Sequence, residues 1–460
     1  MNRILKHFAV LLFVISLPST LYACTESGTV GRVPDADAIY GESGVLLIDA
    51  YQKLTEGRFN EAIEIFSVYR EHIDNAIDNV EDNAKNSGNI VLEIGMGKAY
   101  FGAGDYMNAV KSFRAAYSID AGRGDVIHYL GEAQMRSGAY SDSVETFKIL
   151  LGRDPDNAMV LGKLEQALRK NRDFAGLYLL FLDRLESVDA GNIINKNYCL
   201  KVLLEAAQLM KDKDLILQTV GKFKNTPREF AVETGFEAYE LFISGNEEAA
   251  SATIFDARNI DALVESAGRD GLYFGEYDDS GQYHGKGLII FGSDNRSSVC
   301  RIYYGGFSRN KPNGAGTGYS GYFQEFRNGA GNSIVNKENN YIESDWIDGV
   351  PDGIVVKTYE YLEYSDDVLQ YSGKIIETAT YADAMAQGEV WSENRENTSG
   401  ALNKTGISYT KHVVADGQPV PFEVTVRGKT VMAYEAYYKD PKGVAFDART
   451  EECLSCIFHF

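Results

Sequence analysis

Apolar residues recur at helical spacing from about Val45 to Ala257, and then give way near residues 258 to 270 to short alternating runs punctuated by glycine and tyrosine. The first stretch predicts amphipathic helices whose apolar stripes need neighbours to cover them. The second predicts strands and tight turns. Within Asn195 to Ala257 the spacing of Leu200, Val202, Leu203, Leu204, Ala207, Leu209 and Met210 opens a bundle that Gly221 and Gly245 punctuate. The expected fold class is α + β and multidomain, a helical solenoid followed by an antiparallel sheet of β-hairpins.

The helical half repeats. Asn89 to Gly122 carries Gly97, Tyr100, Gly104, Ala109, Phe113 and Ala116, and Arg123 to Asp156 carries Gly131, Gly138, Ser143, Phe147 and Leu150, with an offset of 34 from Gly97 to Gly131 and from Gly104 to Gly138. A small residue at Gly97 or Gly131 lets two helices approach, and Gly104 or Gly138 ends the first of them. Ala109 with Phe113, and Ser143 with Phe147, share one face of the second helix. Pro155 stops that helix. An earlier copy, Ala50, Leu54, Gly57, Phe59, Ala62 and Phe66, precedes the next by 47, so 13 residues are inserted after it. They are expected to extend its second helix through His72 to Asn83. A weaker fourth copy holds Asp173, Phe174, Leu177 and Phe181.

Period, small residues and aromatics together resemble the tetratricopeptide repeat. The resemblance implies a groove lined by first-helix positions: Lys98 and Phe101 in the second copy, and Asp125, His128, Tyr129, Glu132 and Arg136 in the third. Such a groove implies protein or peptide ligands, because solenoids expose extended binding surfaces. Leu47, Tyr51 and Gly95 stand where a carboxylate clamp needs Lys and Asn, which argues against capture of a chaperone tail.

In the second half Tyr303, Gly305, Phe307, Asn310, Gly314 and Gly316 form the regular pattern YxGxFxxNxxxGxG. Alternation puts Tyr303, Gly305 and Phe307 on one strand face, and the stretch Asn310 to Gly314 is expected to turn. Tyr273, Gly275, Tyr277, Gly281, Gly285 and Gly287 echo the pattern, as do Trp346 with Gly349 and Gly353, and Tyr371 with Gly373. This resembles the MORN repeat, a hairpin unit that stacks into a single-layer sheet. The alternative is a Tyr/Gly-rich antiparallel sheet of another kind, with the aromatics as cross-strand pairs. Residues 271 to 394 hold nine Lys and Arg against 18 Asp and Glu, so the sheet is a poor match for anionic lipid and a better one for protein or peptide, including strand addition at an open edge.

The N-terminus reads as an export signal: Arg3 and Lys6, an apolar run from Phe8 to Leu17, then Pro18. Leu21, Tyr22, Ala23 and Cys24 resemble a bacterial lipobox, which implies lipidation of Cys24. Ordinary cleavage after Ala23 is the alternative. The expected divisions are a signal peptide at 1–23, a lipid-anchored linker at 24–44, helical repeats at 45–257, hairpin repeats at 268–395 and a β-rich extension at 396–460. Four cysteines besides Cys24 are an even number, which suits an oxidising compartment. Cys453 and Cys456 form a CxxC open to three readings: a local disulfide, a redox pair or half a metal site. With His459 alone beside them, a metal site lacks its fourth ligand.

A net charge of −21 opposes docking on nucleic acid. No phosphate loop, dinucleotide fingerprint, GxSxG or HExxH occurs, and the six histidines are scattered, so neither a catalytic set nor a cofactor or metal motif is expected. The resulting expectation is a non-enzymatic, extracytoplasmic scaffold held to the membrane by its N-terminal lipid alone. A second reading takes Tyr303, Phe307 and Trp346 as an exposed platform for sugars of the cell wall. An enzyme with a degenerate C-terminal site is a third.

Overall fold

The computed structural model describes residues 42–75, 82–187, 193–292, 300–366, 368–382, 385–398, 405–415, 418–442, 444–445 and 447–450. The export segment, Cys24, Cys453, Cys456 and His459 lie outside the described residues. The described residues form thirteen tandem helices and then an antiparallel sheet, divided into two compact units at 1–173 and 174–460.

The first unit contains α1 (Glu42–Thr55), α2 (Phe59–Asn75), α3 (Asp82–Ala103), α4 (Tyr106–Ile119), α5 (Gly124–Ser137), α6 (Tyr140–Arg153) and α7 (Ala158–Lys170). Each helix pair turns on a left-handed residue: Gly57 at φ 75, Gly104 at φ 81 and Gly138 at φ 85. Arg172 adopts φ 58 at the corresponding place in the fourth copy, so the turn outlasts the glycine. The small residues of the first helices serve the rings of the second. A Cβ on Gly97 would lie 2.6 Å from the Phe113 ring, and one on Gly131 would lie 2.8 Å from Phe147. Both rings are fully buried.

Part of the stretch expected to extend α2, residues 76–81, lies outside the described residues. α2 is described as far as Asn75, and α3 has 22 residues where α5 has 14.

The second unit opens with α8 (Phe174–Ser187), α9 (Ile193–Leu209), α10 (Lys213–Lys222), α11 (Glu229–Ile243), α12 (Glu247–Ile254) and α13 (Ile260–Ala267). The sheet follows in sequence order: β1 (Leu272–Tyr277), β2 (Tyr283–Ile290), β3 (Ile302–Ser308), β4 (Lys311–Arg327), β5 (Ser333–Ile347), β6 (Val350–Ser365), β7 (Val368–Ala382), β8 (Met385–Thr398) and β9 (Thr405–Ala415). β13 (Glu435–Tyr438) and β14 (Asp447–Arg449) continue it beyond β9, and β10 (Gln418–Pro419) pairs with β9. A separate hairpin, β11 (Phe422–Val426) with β12 (Lys429–Ala433), packs on Trp391 and Tyr409.

Four glycines form one row across β1 to β4, since Gly275 pairs with Gly287, Gly287 with Gly305 and Gly305 with Gly316. The Tyr273 ring fills the space above Gly275 and Gly287, and the Tyr303 ring fills that above Gly305 and Gly316. Each tyrosine then donates its hydroxyl three residues on, Tyr273 to Glu276 O at 2.8 Å and Tyr303 to Gly306 O at 3.1 Å. The same geometry thus recurs from one hairpin to the next. The reversal after β3 lies at Arg309 and Asn310, with φ 51 and 67, earlier than the expected Asn310 to Gly314. Two positive φ values make a type I′ turn, whose twist matches the strands and which asparagine adopts readily.

Helices cover one face of the first strands. Phe242 stacks on Tyr304 with ring centroids 3.8 Å apart, and Phe255 stacks on Tyr319 at 4.8 Å. Gln208 of α9 closes the outer edge of β1: its amide donates to Tyr273 O at 3.2 Å and accepts from Gly275 N at 3.0 Å. An exposed edge strand is a template for foreign pairing, and this side chain occupies it as a strand would. Gln208→Leu is expected to lower stability by about 1–3 kcal/mol, the cost of two orphaned backbone groups. Urea unfolding measures the loss, and faster hydrogen exchange at the Gly275 amide localises it.

Candidate functional site

The first helices α1, α3 and α5 pack side by side, and Lys163 of α7 continues the row by pairing with Glu132 of α5, Nζ to Oε1 at 2.5 Å. Together they present one continuous face. Tyr51 from α1 donates to Val91 O on α3 at 2.8 Å. Lys98, one helix turn from the end of α3, holds its ammonium 4.9 Å from the centre of the Tyr129 ring on α5. Tyr129 in turn stacks on Phe113 at 5.4 Å, so an apolar ring fixes the surface on which the cation rests.

Asp125 lies beside them. Arg123 clamps it with both ends of its guanidinium, Nε to Oδ1 at 3.0 Å and Nη2 to Oδ2 at 2.6 Å. Burial works to raise the Asp125 carboxyl, but the Arg123 bonds outweigh it and hold the group below the usual carboxylate range. Burial depresses Lys98, and the Asp125 charge only partly restores it. His128 sits edge-on to both Tyr129 and Phe147 at 6.1 Å, and burial lowers its pKa against the pull of Glu132. Burial likewise raises the Tyr51 and Tyr129 hydroxyls, so both rings are neutral donors.

Of the seven residues read from the sequence, Lys98, Asp125, His128, Tyr129 and Glu132 form this cluster. Phe101 turns toward the hairpin end, where it meets Tyr106 edge-on at 5.4 Å. Arg136 is exposed at the end of α5. Arg123 and Lys163 were not read from the sequence as groove residues, and Tyr51 was read only as standing where a carboxylate clamp needs another residue. The signal for Tyr51 was present, since it precedes Lys98 by the same 47 that separates the first two copies.

A tetratricopeptide repeat family model matches residues 100–167. The match runs from the end of α3 through most of α7 and so contains the Asp125 to Glu132 cluster. Tetratricopeptide repeats generally mediate protein–protein interactions and are typically non-catalytic. No curated protein matches the chain in sequence.

The sheet offers no comparable surface for sugars at the residues expected to form one. Tyr303, Phe307 and Trp346 are 0%, 3% and 1% exposed, because they pack on the glycine row and on each other. Trp346 also spends its indole N–H on Gly316 O at 3.1 Å. The stacking platform is therefore withdrawn. On the same face a cavity of about 10 Å³, lined by Val355, Lys357, Glu377, Ala379 and Tyr381, has room for about one water molecule and none for a substrate. Among the described residues no group of three His, Cys, Asp or Glu is placed to hold a metal ion. Cys199 and Cys300 are both buried, and burial pushes Cys300 up to about 12, which leaves it protonated and inert.

Proposed function

We propose that this protein is an exported, lipid-tethered scaffold that holds partner proteins through the first-helix groove and uses a MORN-like sheet as a rigid second module. The observation that carries the reading is the Tyr51, Lys98, Asp125 and Tyr129 face, of which Asp125 and Tyr129 lie within the stretch that matches a tetratricopeptide repeat model. Its chemistry suits an extended segment of protein. A cation on a ring and a clamped carboxylate supply polar contacts of both signs, and the ring edges supply apolar area. The tether rests on Arg3, Lys6, the Phe8 to Leu17 run and Cys24. The MORN-like reading rests on the tyrosine-over-glycine geometry repeated at Tyr273 and Tyr303.

Metabolic palmitate labelling tests the tether: the wild-type protein is expected to take the label, and Cys24→Ser to lose it. An unlipidated mature chain from wild-type cells contradicts it. For the groove, Lys98→Glu is expected to weaken a crosslinked partner at least tenfold, about 1.4 kcal/mol, while Ile149→Asp on the exposed side of α6 leaves it unchanged.

A further inference from the structure

Among the described residues the second half of β4 is paired on one side only. β5 pairs with β4 from Gly314 to Arg327, whereas β3 pairs with it only from Lys311 to Tyr319. No described strand lies against residues 320–327 on the β3 side. The Tyr319 carbonyl points to that side, where it accepts from Arg301 N at 2.8 Å. Along the unbroken ladder that follows, alternation aims the backbone groups of Gly321, Phe323, Glu325 and Arg327 the same way. Tyr322 and Phe326 flank this edge at 46% and 43% exposure.

Sheets ordinarily block such an edge with lysine, proline or a covering side chain, as Gln208 does at β1. Residues 320–327 contain neither lysine nor proline. They carry one Glu and one Arg, so the segment is locally neutral in a chain of net charge −21. Two copies therefore approach here without the repulsion that the rest of their surfaces impose.

We propose that this edge pairs with the same edge of a second copy, antiparallel and two-fold symmetric about Gln324. That register uses the whole free edge. It sets Tyr322 against Phe326 of the second copy at two related places, Phe323 against Glu325, and Arg327 against Gly321, so no like charges stand directly opposed. Gln324 faces its own counterpart, and a primary amide both donates and accepts. The contact is isologous and closes at two copies. It joins two sheets into one continuous sheet. An extended peptide from another protein would satisfy the backbone equally, but the symmetric aromatic pairing and local neutrality are properties of this segment against itself.

The test is the mass of the purified protein in solution, by sedimentation or light scattering across concentration. Wild type is expected to be a dimer. Phe323→Pro removes an N–H aimed outward, which spares the β4–β5 ladder, and is expected to give a monomer. Gln324→Lys places two cations face to face on an exposed site and is expected to do the same with an unchanged circular dichroism spectrum. Under oxidation Gln324→Cys is expected to form a disulfide-linked dimer, and Ser320→Cys is not. A wild-type monomer at every soluble concentration overturns the proposal. So does a dimer that survives Gln324→Lys.

Discussion

Tyr303→Ala is expected to lower stability by about 3–5 kcal/mol, the range for removing a large buried aromatic ring. The magnitude follows from what the ring touches. It is fully buried, covers Gly305 and Gly316, and meets Phe307 and Trp346 edge-on at 5.2 and 5.0 Å. Alanine leaves a void above two glycines, which have no side chains with which to fill it. Tyr303→Phe keeps the ring and loses only the bond to Gly306 O, so about 1 kcal/mol is expected. Gly316→Ala disturbs the same place from below, because its Cβ would fall inside the Tyr303 hydroxyl. Denaturant unfolding of the three variants separates ring packing from the hydrogen bond. Equal losses for Tyr303→Ala and Tyr303→Phe would show that the glycine row does not depend on the ring.

Lys357→Met is expected to destabilise the protein by about 3 kcal/mol near neutral pH, with a loss that grows as pH rises. Lys357 stands directly opposite Glu377 across β6 and β7, and donates to Tyr381 Oη at 2.6 Å. Burial opposes both charges, lowering Lys357 to about 8 and raising Glu377 to about 7, and each is partly rescued by the other. For Glu377, whose folded pKa lies above the ordinary value of 4.5, stability is full below that value and falls as pH rises toward 7. For Lys357, depressed from 10.5, stability is full above that value and falls as pH drops toward 8. Without the lysine, the carboxyl has no cation and its pKa rises further. The downward slope then extends past 7 and the upward slope at high pH disappears. Thermal unfolding at about pH 5, 7 and 9 reads this directly: near-wild-type stability at the acid end and the largest deficit at the alkaline end. Lys357→Met with Glu377→Leu is expected to recover the loss, because two apolar residues need no partner.

Much of the fold was legible because it repeats. The offset of 34 located the turns at Gly104 and Gly138, and the Phe113 and Phe147 rings lie against Gly97 and Gly131 as the small residues suggested. The alternation of Tyr303, Gly305 and Phe307 likewise marked a strand, but not that the Tyr303 ring covers Gly305 and Gly316. What escaped was pairwise and nonlocal. Nothing in the sequence near Gln208 signals that its amide reaches Tyr273 and Gly275, more than sixty residues away. The burial of Trp346 was equally hidden, since aromatic spacing is the same for a ring that stacks on sugar and one that stacks on Tyr303. At the candidate groove the tetratricopeptide resemblance pointed to the α5 residues Asp125, His128, Tyr129 and Glu132, which lie close together. It missed Arg123, because its role depends on a clamp to Asp125 made at the helix start, where no periodic position marks it.

The claim that the first unit is a protein-binding module is tested most directly by crosslinking mass spectrometry on full-length protein in its own cells. Wild type, Lys98→Glu and Ile149→Asp are run side by side. A partner protein crosslinked near Lys98 and Lys163 in wild type and in Ile149→Asp, and lost in Lys98→Glu, is the predicted result. Crosslinks to a partner that cluster elsewhere and persist unchanged in Lys98→Glu would contradict it.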